Sequence, residues 1–192
     1  MKEKYKLVKP YFLFVGTQEP RKNLVKLIKA FGKLNGSTHN LVIAGEKGKV
    51  FADSVSRIGN PTYVQFLGYV PDSDLPALYS GASAVLTTSL YEGSGLTALE
   101  AMACGAPVIA SNTTSFPEVT GNAALLVNPR NSNELTDAMK NMLENKTLAT
   151  TLRERGLQRA AQFTWEESAR KTQAIIEHCV APASTEKAQL KG

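Results

Sequence analysis

Two glutamates, Glu92 and Glu100, flank a glycine-rich segment, Gly93-Ser-Gly95, that precedes a helix of small residues. Glycines allow the backbone to approach a ligand closely, and free amides at a helix N-terminus bind phosphate. Ser94 is expected to cap this helix. Glu100, about one turn inside it, can accept hydrogen bonds from paired hydroxyls such as a ribose diol. Spacing alone leaves open a capped helix with two ordinary surface glutamates.

A second loop places two cations beside a helix start. It follows Gly16 and ends in Arg21-Lys22-Asn23, with Pro20 before the cations. The positive end of the helix macrodipole disfavours cations, so their presence indicates an anion bound between them. On this loop alone, side chains that simply extend into solvent are an equal alternative.

Net charge is concentrated near the N-terminus. The chain has 192 residues and a formal charge of +5, but residues 1–49 hold 11 Lys or Arg against 3 Asp or Glu. This positive charge would suit an anionic ligand, a nucleic acid, a membrane surface or simply a solvated face. The solvated face is the first interpretation. We expect no nucleic-acid partner.

Several classes of protein and site are excluded by composition. Apolar residues make up 43% of the chain and charged residues 20%, as in ordinary globular proteins. Cys104 and Cys179 cannot form a disulfide framework, and His39 and His178 are not at ligand spacing, so we expect no metal and no catalytic triad. No signal peptide or membrane-length apolar run is recognisable, so a cytoplasmic protein is expected.

Short apolar segments alternate with amphipathic ones along the chain. The segments predicted as strands are 11–15, 41–44, 63–67, 84–88, 107–110 and 124–127. The main segments predicted as helices are 24–34, 75–79, 96–104, 131–145, 147–162 and 165–178. This alternation predicts an α/β fold, a doubly wound Rossmann-like parallel sheet of about six strands, ordered 3-2-1-4-5-6, with helices on both faces. We expect one domain over residues 1–180 and a flexible tail over 181–192.

Ligands of such sheets bind beyond the carboxyl ends of the strands, where the strand order reverses. In the predicted order that point lies between strands 1 and 4. The loops that follow these two strands are the cationic loop and the glycine-rich loop. Asp72-Ser-Asp74 and Ser115, by contrast, precede helices and are predicted to serve as helix caps.

The segment from Glu92 to Ile109 resembles a motif of the family 4 (group 1) retaining glycosyltransferases. That motif is E-x7-E followed by A-M-A-x-G-x-P-V-I. The segments 14–23 and 66–75 support the resemblance, which extends over about residues 11–178. It implies one lobe of a GT-B fold, a nucleoside-diphosphate sugar as donor substrate, and catalysis without a metal or other cofactor.

The resemblance also implies residue roles. Glu92 would be catalytic, facing the donor sugar, and Glu100 would bind the ribose hydroxyls. The remaining expected contacts to the donor are Gly16, Arg21, Lys22, Val70, Gly93, Ser94, Gly95 and Leu96. Of these, Arg21 and Lys22 would neutralise the diphosphate, the amides at 94–96 would hold its distal phosphate, and Val70 would lie where the base packs.

Three positions depart from the family pattern: Thr17 replaces the usual Arg, Ser94 an aromatic and Thr97 a Pro. The chain is also about half the family's length, so we expect an isolated C-terminal lobe, inactive alone, of a hexosyltransferase. The missing N-terminal lobe would hold a glycan or lipid-linked acceptor, and the full-length enzyme could contact the inner face of the membrane peripherally. GDP-mannose is the first candidate donor. A standalone nucleotide-binding or interaction module and half of a nucleotide-sugar epimerase remain alternatives.

Overall fold

The computed structural model describes residues 1–34, 38–46, 48 and 61–180 of the chain. It divides into two compact units, residues 1–160 and the segment from residue 161 onward. The predicted tail over 181–192 lies outside the described residues. The division into a domain over 1–180 and a tail therefore stays a prediction.

The first unit is built on a single parallel sheet. Its strands are β1 Tyr11–Val15, β2 Asn40–Ala44, β3 Val64–Gly68, β4 Ala84–Thr87, β5 Val108–Ser111 and β6 Ala124–Val127. All neighbours pair in parallel in the order β3-β2-β1-β4-β5-β6, so the predicted order is confirmed. Strand order reverses between β1 and β4, which makes that junction the place where a ligand cleft is expected.

Helices lie between several of these strands and after the last one. Those described in the first unit are α1 Leu24–Gly32, α2 Leu75–Gly81, α3 Leu96–Ala103, α4 Phe116–Thr120, α5 Ser132–Glu144 and α6 Lys146–Ala160. A short 3-10 helix, Pro20–Lys22, precedes α1. Asn131 caps α5 because its side chain accepts hydrogen bonds from the amides of Asn133 and Glu134.

Side chains of β1 alternate between two cores, one on each face of the sheet. Phe12 and Phe14 belong to a cluster that includes residues of α1, α5 and α6. Tyr11 and Leu13 belong to a second cluster, which includes residues of α2, α3 and α4. Because successive side chains of a strand point to opposite faces, a strand buried on both sides must be apolar throughout. This explains the continuous apolar segments in the sequence.

The second unit contributes one described helix, α7 Trp165–Val180, which begins where the sequence predicts a helix. Trp165 at its start is exposed, as are Ile175 and Ile176. Among the described helices of the chain, none has both the length and the hydropathy that a membrane span requires.

Asp74 differs from its predicted role as a helix cap. It occupies the N-cap position of α2, but its side chain caps no backbone amide. Its carboxylate instead accepts hydrogen bonds from Lys4 Nζ, at 2.6 Å, and from the Tyr5 hydroxyl. Both donors lie in the first few residues of the chain, so Asp74 fastens that segment to the start of α2.

The carboxyl ends of β1 and β2 approach each other unusually closely. Gly16 follows β1 and Gly45 follows β2, with φ angles of +142° and +137° that disfavour other residues. A Cβ atom on Gly45 would collide with the carbonyl oxygen of Gly16. The start of the cationic loop is therefore held in place by two backbones in direct contact.

We expect Gly45→Ala to lower the free energy of unfolding by about 2 kcal/mol or more, because it adds both backbone strain and a collision. Gly93→Ala is the matched control, since a Cβ on Gly93 meets no atom within 4 Å. It should change stability by less than about 0.5 kcal/mol. Urea unfolding of both variants measures the difference, and equal midpoints would contradict the packing described.

Candidate functional site

The loops that follow β1 and β4 are joined where the strand order reverses. The two strands pair directly, with Phe12 opposite Ala84. Beyond them, the backbone amide of Leu90 donates a hydrogen bond to the carbonyl of Arg21 at 2.7 Å. The cationic loop and the glycine-rich loop are thus adjacent, as the predicted strand order requires.

Glu92 lies at the centre of an ion cluster in this junction. Lys22 Nζ contacts its Oε2 atom at 2.6 Å, and Arg21 Nη1 contacts both carboxylate oxygens at 3.3 Å. The hydroxyl of Ser89 donates to the same Oε2 atom at 3.3 Å. Arg21 also donates through Nε to Glu19 at 2.8 Å. Both cations of the sequence motif therefore converge on one carboxylate.

Lys22 is the more enclosed of the two cations. Its side chain is 11% exposed, against 43% for Arg21. The 3-10 helix that contains Lys22 begins at Pro20 and ends at Asn23, whose φ of +59° turns the chain into α1. The Lys22 side chain lies over Gly16, close to where a Cβ would stand. This path directs the ammonium group toward the Glu92 carboxylate and away from bulk water.

Charge pairing dominates the ionisation of Glu92. Partial burial of the carboxyl raises its pKa, but the hydrogen bond and charge of Lys22, together with the charge of Arg21, outweigh that effect. The pKa of Glu92 consequently lies below its ordinary value. Glu92 is therefore a carboxylate whose charge is matched by protein cations.

A third loop, after β5, holds the backbone of Glu92. Thr114 Oγ1 accepts a hydrogen bond from the Glu92 amide at 3.2 Å, and Ser115 Oγ donates to the Glu92 carbonyl at 2.9 Å. Ser111 Oγ donates to the carbonyl of Ser89 at 2.7 Å. The prediction that the Ser115 side chain caps a helix is wrong: Ser115 stands at the N-cap position of α4 without a side-chain cap bond.

This third loop is absent from the sequence-based site. The signal for it was the run Ser111-Asn-Thr-Thr-Ser115, five polar residues at the carboxyl end of a strand. Short hydroxyl side chains bind nearby backbone groups readily. Here they bind backbone that is distant in sequence, which a local pattern cannot reveal.

The N-terminus of α3 lies immediately after the ion cluster. The predicted cap, Ser94, is wrong, because Gly95 occupies the N-cap position with a φ of +66°. Since no side chain caps this helix, its first amides can serve a ligand. Gly93 and Ser94 are exposed, and the Leu96 side chain is 51% exposed.

Glu100, on the second turn of α3, stands apart from the cations. The hydroxyl of Tyr79 donates to its Oε2 atom at 2.7 Å. Val70 follows β3 at the same edge of the sheet, but its side chain is only 5% exposed and belongs to the core. Val70 can therefore offer a ligand its backbone groups but not its side chain, while the adjacent Tyr69 is exposed.

The edge of the sheet combines features that suit an anion carrying hydroxyl groups. Two cations and an uncapped helix N-terminus provide positive potential, and the exposed carboxylate of Glu100 provides an acceptor. In the part of the chain that the structure describes, no three His, Cys, Asp or Glu side chains cluster as a metal site would need.

Comparison with known proteins assigns this architecture to a family. The sequence model described as "Glycosyl transferases group 1" matches residues 2–159. An O-antigen chain mannosyltransferase B from Escherichia coli is 39% identical over 177 residues, covering 88% of this chain and 46% of that protein. The chain thus spans about half the length of this relative.

Solved structures show the same fold. A sucrose-phosphate synthase from Thermosynechococcus elongatus aligns with a TM-score of 0.77 and 30% identity, over 93% of this chain and 48% of that one. The HepE protein of Anabaena, determined in complex with UDP-glucose, aligns with a TM-score of 0.80 and 21% identity, over 93% and 51%. At that identity the likeness to HepE shows the fold alone.

The ion cluster predicts a pH dependence of stability. Because the pKa of Glu92 is lower in the folded chain than its ordinary value of 4.5, the stabilisation is present above pH 4.5 and is lost as pH falls through the folded pKa. We expect Glu92→Gln to lower the free energy of unfolding by about 0.5–1 kcal/mol at pH 7, a figure that allows for screening of the charges by solvent. At a pH below the folded pKa of Glu92, the substitution should leave the free energy of unfolding unchanged.

Denaturant unfolding between pH 2 and 7 measures this difference. Glu154→Gln is the control, since Glu154 is exposed on α6 and forms no ion pair within the described residues. A Glu92→Gln profile parallel to that of the control would show that the ion cluster does not stabilise the fold.

Proposed function

The chain belongs to the group 1 glycosyltransferases, and we propose that it is the donor-binding lobe of a two-lobed GT-B enzyme, taking a nucleoside-diphosphate sugar into the cleft beyond β1 and β4. One observation carries the proposal. Lys22 and Arg21 converge on a single point, directly before the uncapped N-terminus of α3. A diphosphate needs that combination of cations and free backbone amides.

The diphosphate would take over Lys22 from Glu92. In the structure, the Glu92 carboxylate is the anion that Lys22 contacts, at 2.6 Å. A phosphate oxygen bound there would replace it as the hydrogen-bond acceptor, and the free Glu92 carboxylate would then face the sugar attached to that phosphate. The distal phosphate would lie near the amides of residues 94–96, because only a short link separates Glu92 from Gly95.

The rest of the donor would extend away from the ion cluster. Glu100 would accept hydrogen bonds from the ribose hydroxyls, because its carboxylate is exposed and carries no cation within 4 Å among the described residues. The base would lie against the backbone of Val70 at the end of β3. In this arrangement the sugar, diphosphate, ribose and base would follow one another along the edge of the sheet.

Glycosyl transfer would proceed with retention of configuration. The bond between the sugar's anomeric carbon and the diphosphate oxygen breaks. The acceptor hydroxyl forms the new bond to that carbon on the same face, and its proton passes to the leaving diphosphate oxygen. Lys22, Arg21 and the α3 amides would stabilise the charge that develops on the leaving diphosphate. Because these groups supply the positive charge, the proposal requires no metal.

The mannosyltransferase relatives support GDP-mannose as the first donor to test. Besides the E. coli protein, an MMP alpha-(1->4)-mannosyltransferase of Mycolicibacterium hassiacum is 34% identical over 131 residues, covering 66% of this chain and 32% of that protein. The acceptor, a glycan or lipid-linked glycan, would be held by a second lobe. The enzyme would act in the cytoplasm, with peripheral contact at the inner face of the membrane.

We expect the chain to bind GDP, UDP or ADP by calorimetry, with GDP tightest, and Lys22→Ala to weaken the tightest complex by at least about tenfold. Lys29→Ala is the matched control: Lys29 is an exposed lysine of α1, seven residues away. The loss should be smaller at high salt, because salt already weakens the charge attraction.

Three results would count against the proposal. The first is that the chain binds none of the three nucleotides. The second is that Lys22→Ala and Lys29→Ala weaken nucleotide binding equally. The third is salt-sensitive binding of an acidic partner that Glu92→Ala and Glu100→Ala leave unchanged. That result would indicate a standalone interaction module, the alternative from the sequence.

A further inference from the structure

Tyr79 is a buried residue outside the glycine-rich and cationic loops, and its hydroxyl contacts Glu100. It lies on α2 with 1% of its surface exposed. Its ring belongs to the same core cluster as Ala98, Ala101 and Met102 of α3. The small alanines leave room for the ring between the two helices. The hydroxyl emerges at the Glu100 carboxylate, 2.7 Å from Oε2.

Glu100 depends on this one contact for its orientation. Within the described residues, Tyr79 is the only donor to its carboxylate, and Oε1 accepts no hydrogen bond. An exposed glutamate otherwise samples many rotamers, and ordering it on binding costs free energy. A hydrogen bond from a rigid, buried ring restricts that sampling before a ligand arrives.

We propose that Tyr79 is a positioning residue, which holds the carboxylate of Glu100 so that its second oxygen accepts the ribose hydroxyls of the donor. The proposal rests on the proposed function, because it assumes a nucleotide at this edge of the sheet. Tyr79 itself does not contact the nucleotide. Its effect would be specific to the part of the ligand that Glu100 recognises.

The chemistry of a tyrosine suits this task. Burial, reinforced by the hydrogen bond to Glu100, raises the pKa of Tyr79, so the phenol remains a protonated donor at any working pH. As a neutral donor it orients the carboxylate without cancelling its charge. Glu92 shows the opposite arrangement, with two cations on its carboxylate. Glu100 thus keeps its negative charge and an open oxygen, Oε1, as an acceptor for hydroxyl groups.

Tyr11 offers a matched control within the same fold. It is the other buried tyrosine of the described residues, 3% exposed, and its hydroxyl donates to the Leu78 carbonyl at 2.8 Å. Both tyrosines thus make one hydrogen bond from a buried ring. Tyr11, however, begins β1, at the opposite end of that strand from Gly16, about 16 Å away along the strand.

The test compares nucleotides with and without the ribose hydroxyls. Calorimetry would measure the dissociation constants of GDP and of 2′,3′-dideoxy-GDP, or of the UDP or ADP pair if that base binds more tightly. The ratio of the two constants is the hydroxyl selectivity. Because both are measured on one preparation, a partly unfolded sample scales them equally and leaves the ratio intact.

We expect the wild type to favour the ribonucleotide by on the order of tenfold or more. Tyr79→Phe should reduce this selectivity by about three- to tenfold, while Tyr11→Phe leaves it unchanged. Glu100→Gln should also reduce it, and adding Tyr79→Phe to Glu100→Gln should produce little further loss, because the two residues act through one contact.

The outcomes of these measurements distinguish a failure of this inference from a failure of the proposed function. If the wild type is selective and Glu100→Gln removes the selectivity, but Tyr79→Phe retains it, Tyr79 has only a structural role and the donor site stands. Equal loss in Tyr79→Phe and Tyr11→Phe would also contradict positioning. A wild type that binds no nucleoside diphosphate overturns both proposals.

Discussion

The contact between Lys22 and Glu92 is the interaction on which the candidate site depends. A lysine side chain with 11% exposure needs a partner for its charge, and the nearest carboxylate, at 2.6 Å, comes from another loop. The loop after β1 provides the cations, the loop after β4 provides the carboxylate, and the loop after β5 holds the backbone of Glu92. Three separate connections of the sheet therefore meet at one ion cluster.

The two glutamates of the motif have different surroundings, and this difference separates two recognition tasks. Glu92 is paired with protein cations, so in the proposed complex a diphosphate would have to compete with it for Lys22. Glu100 is held by the neutral hydroxyl of Tyr79 and keeps its charge for hydroxyl donors. In the proposed complex, one short helix start would thus present a displaceable anion and a preoriented acceptor, which together suit a diphosphate joined to a ribose.

The sheet order and the meeting of the two loops could be predicted because both follow from alternating strands and helices along the chain. The helix caps could not. Ser94 has the right side chain, but the left-handed backbone of Gly95 ends the loop one residue later. Ser115 binds the Glu92 carbonyl instead of its own helix. The bond from Tyr79 to Glu100 joins two helices and lies outside any local sequence pattern.

The carboxyl carbon resonance of Glu92, followed by NMR through a pH titration with and without saturating GDP, tests the central claim most directly. Without nucleotide, we expect a pKa below the ordinary 4.5, because Lys22 and Arg21 favour the charged form. With nucleotide, the pKa should rise, because the diphosphate takes Lys22 and adds negative charge nearby. A nucleotide that binds and leaves the pKa of Glu92 unchanged would contradict the account.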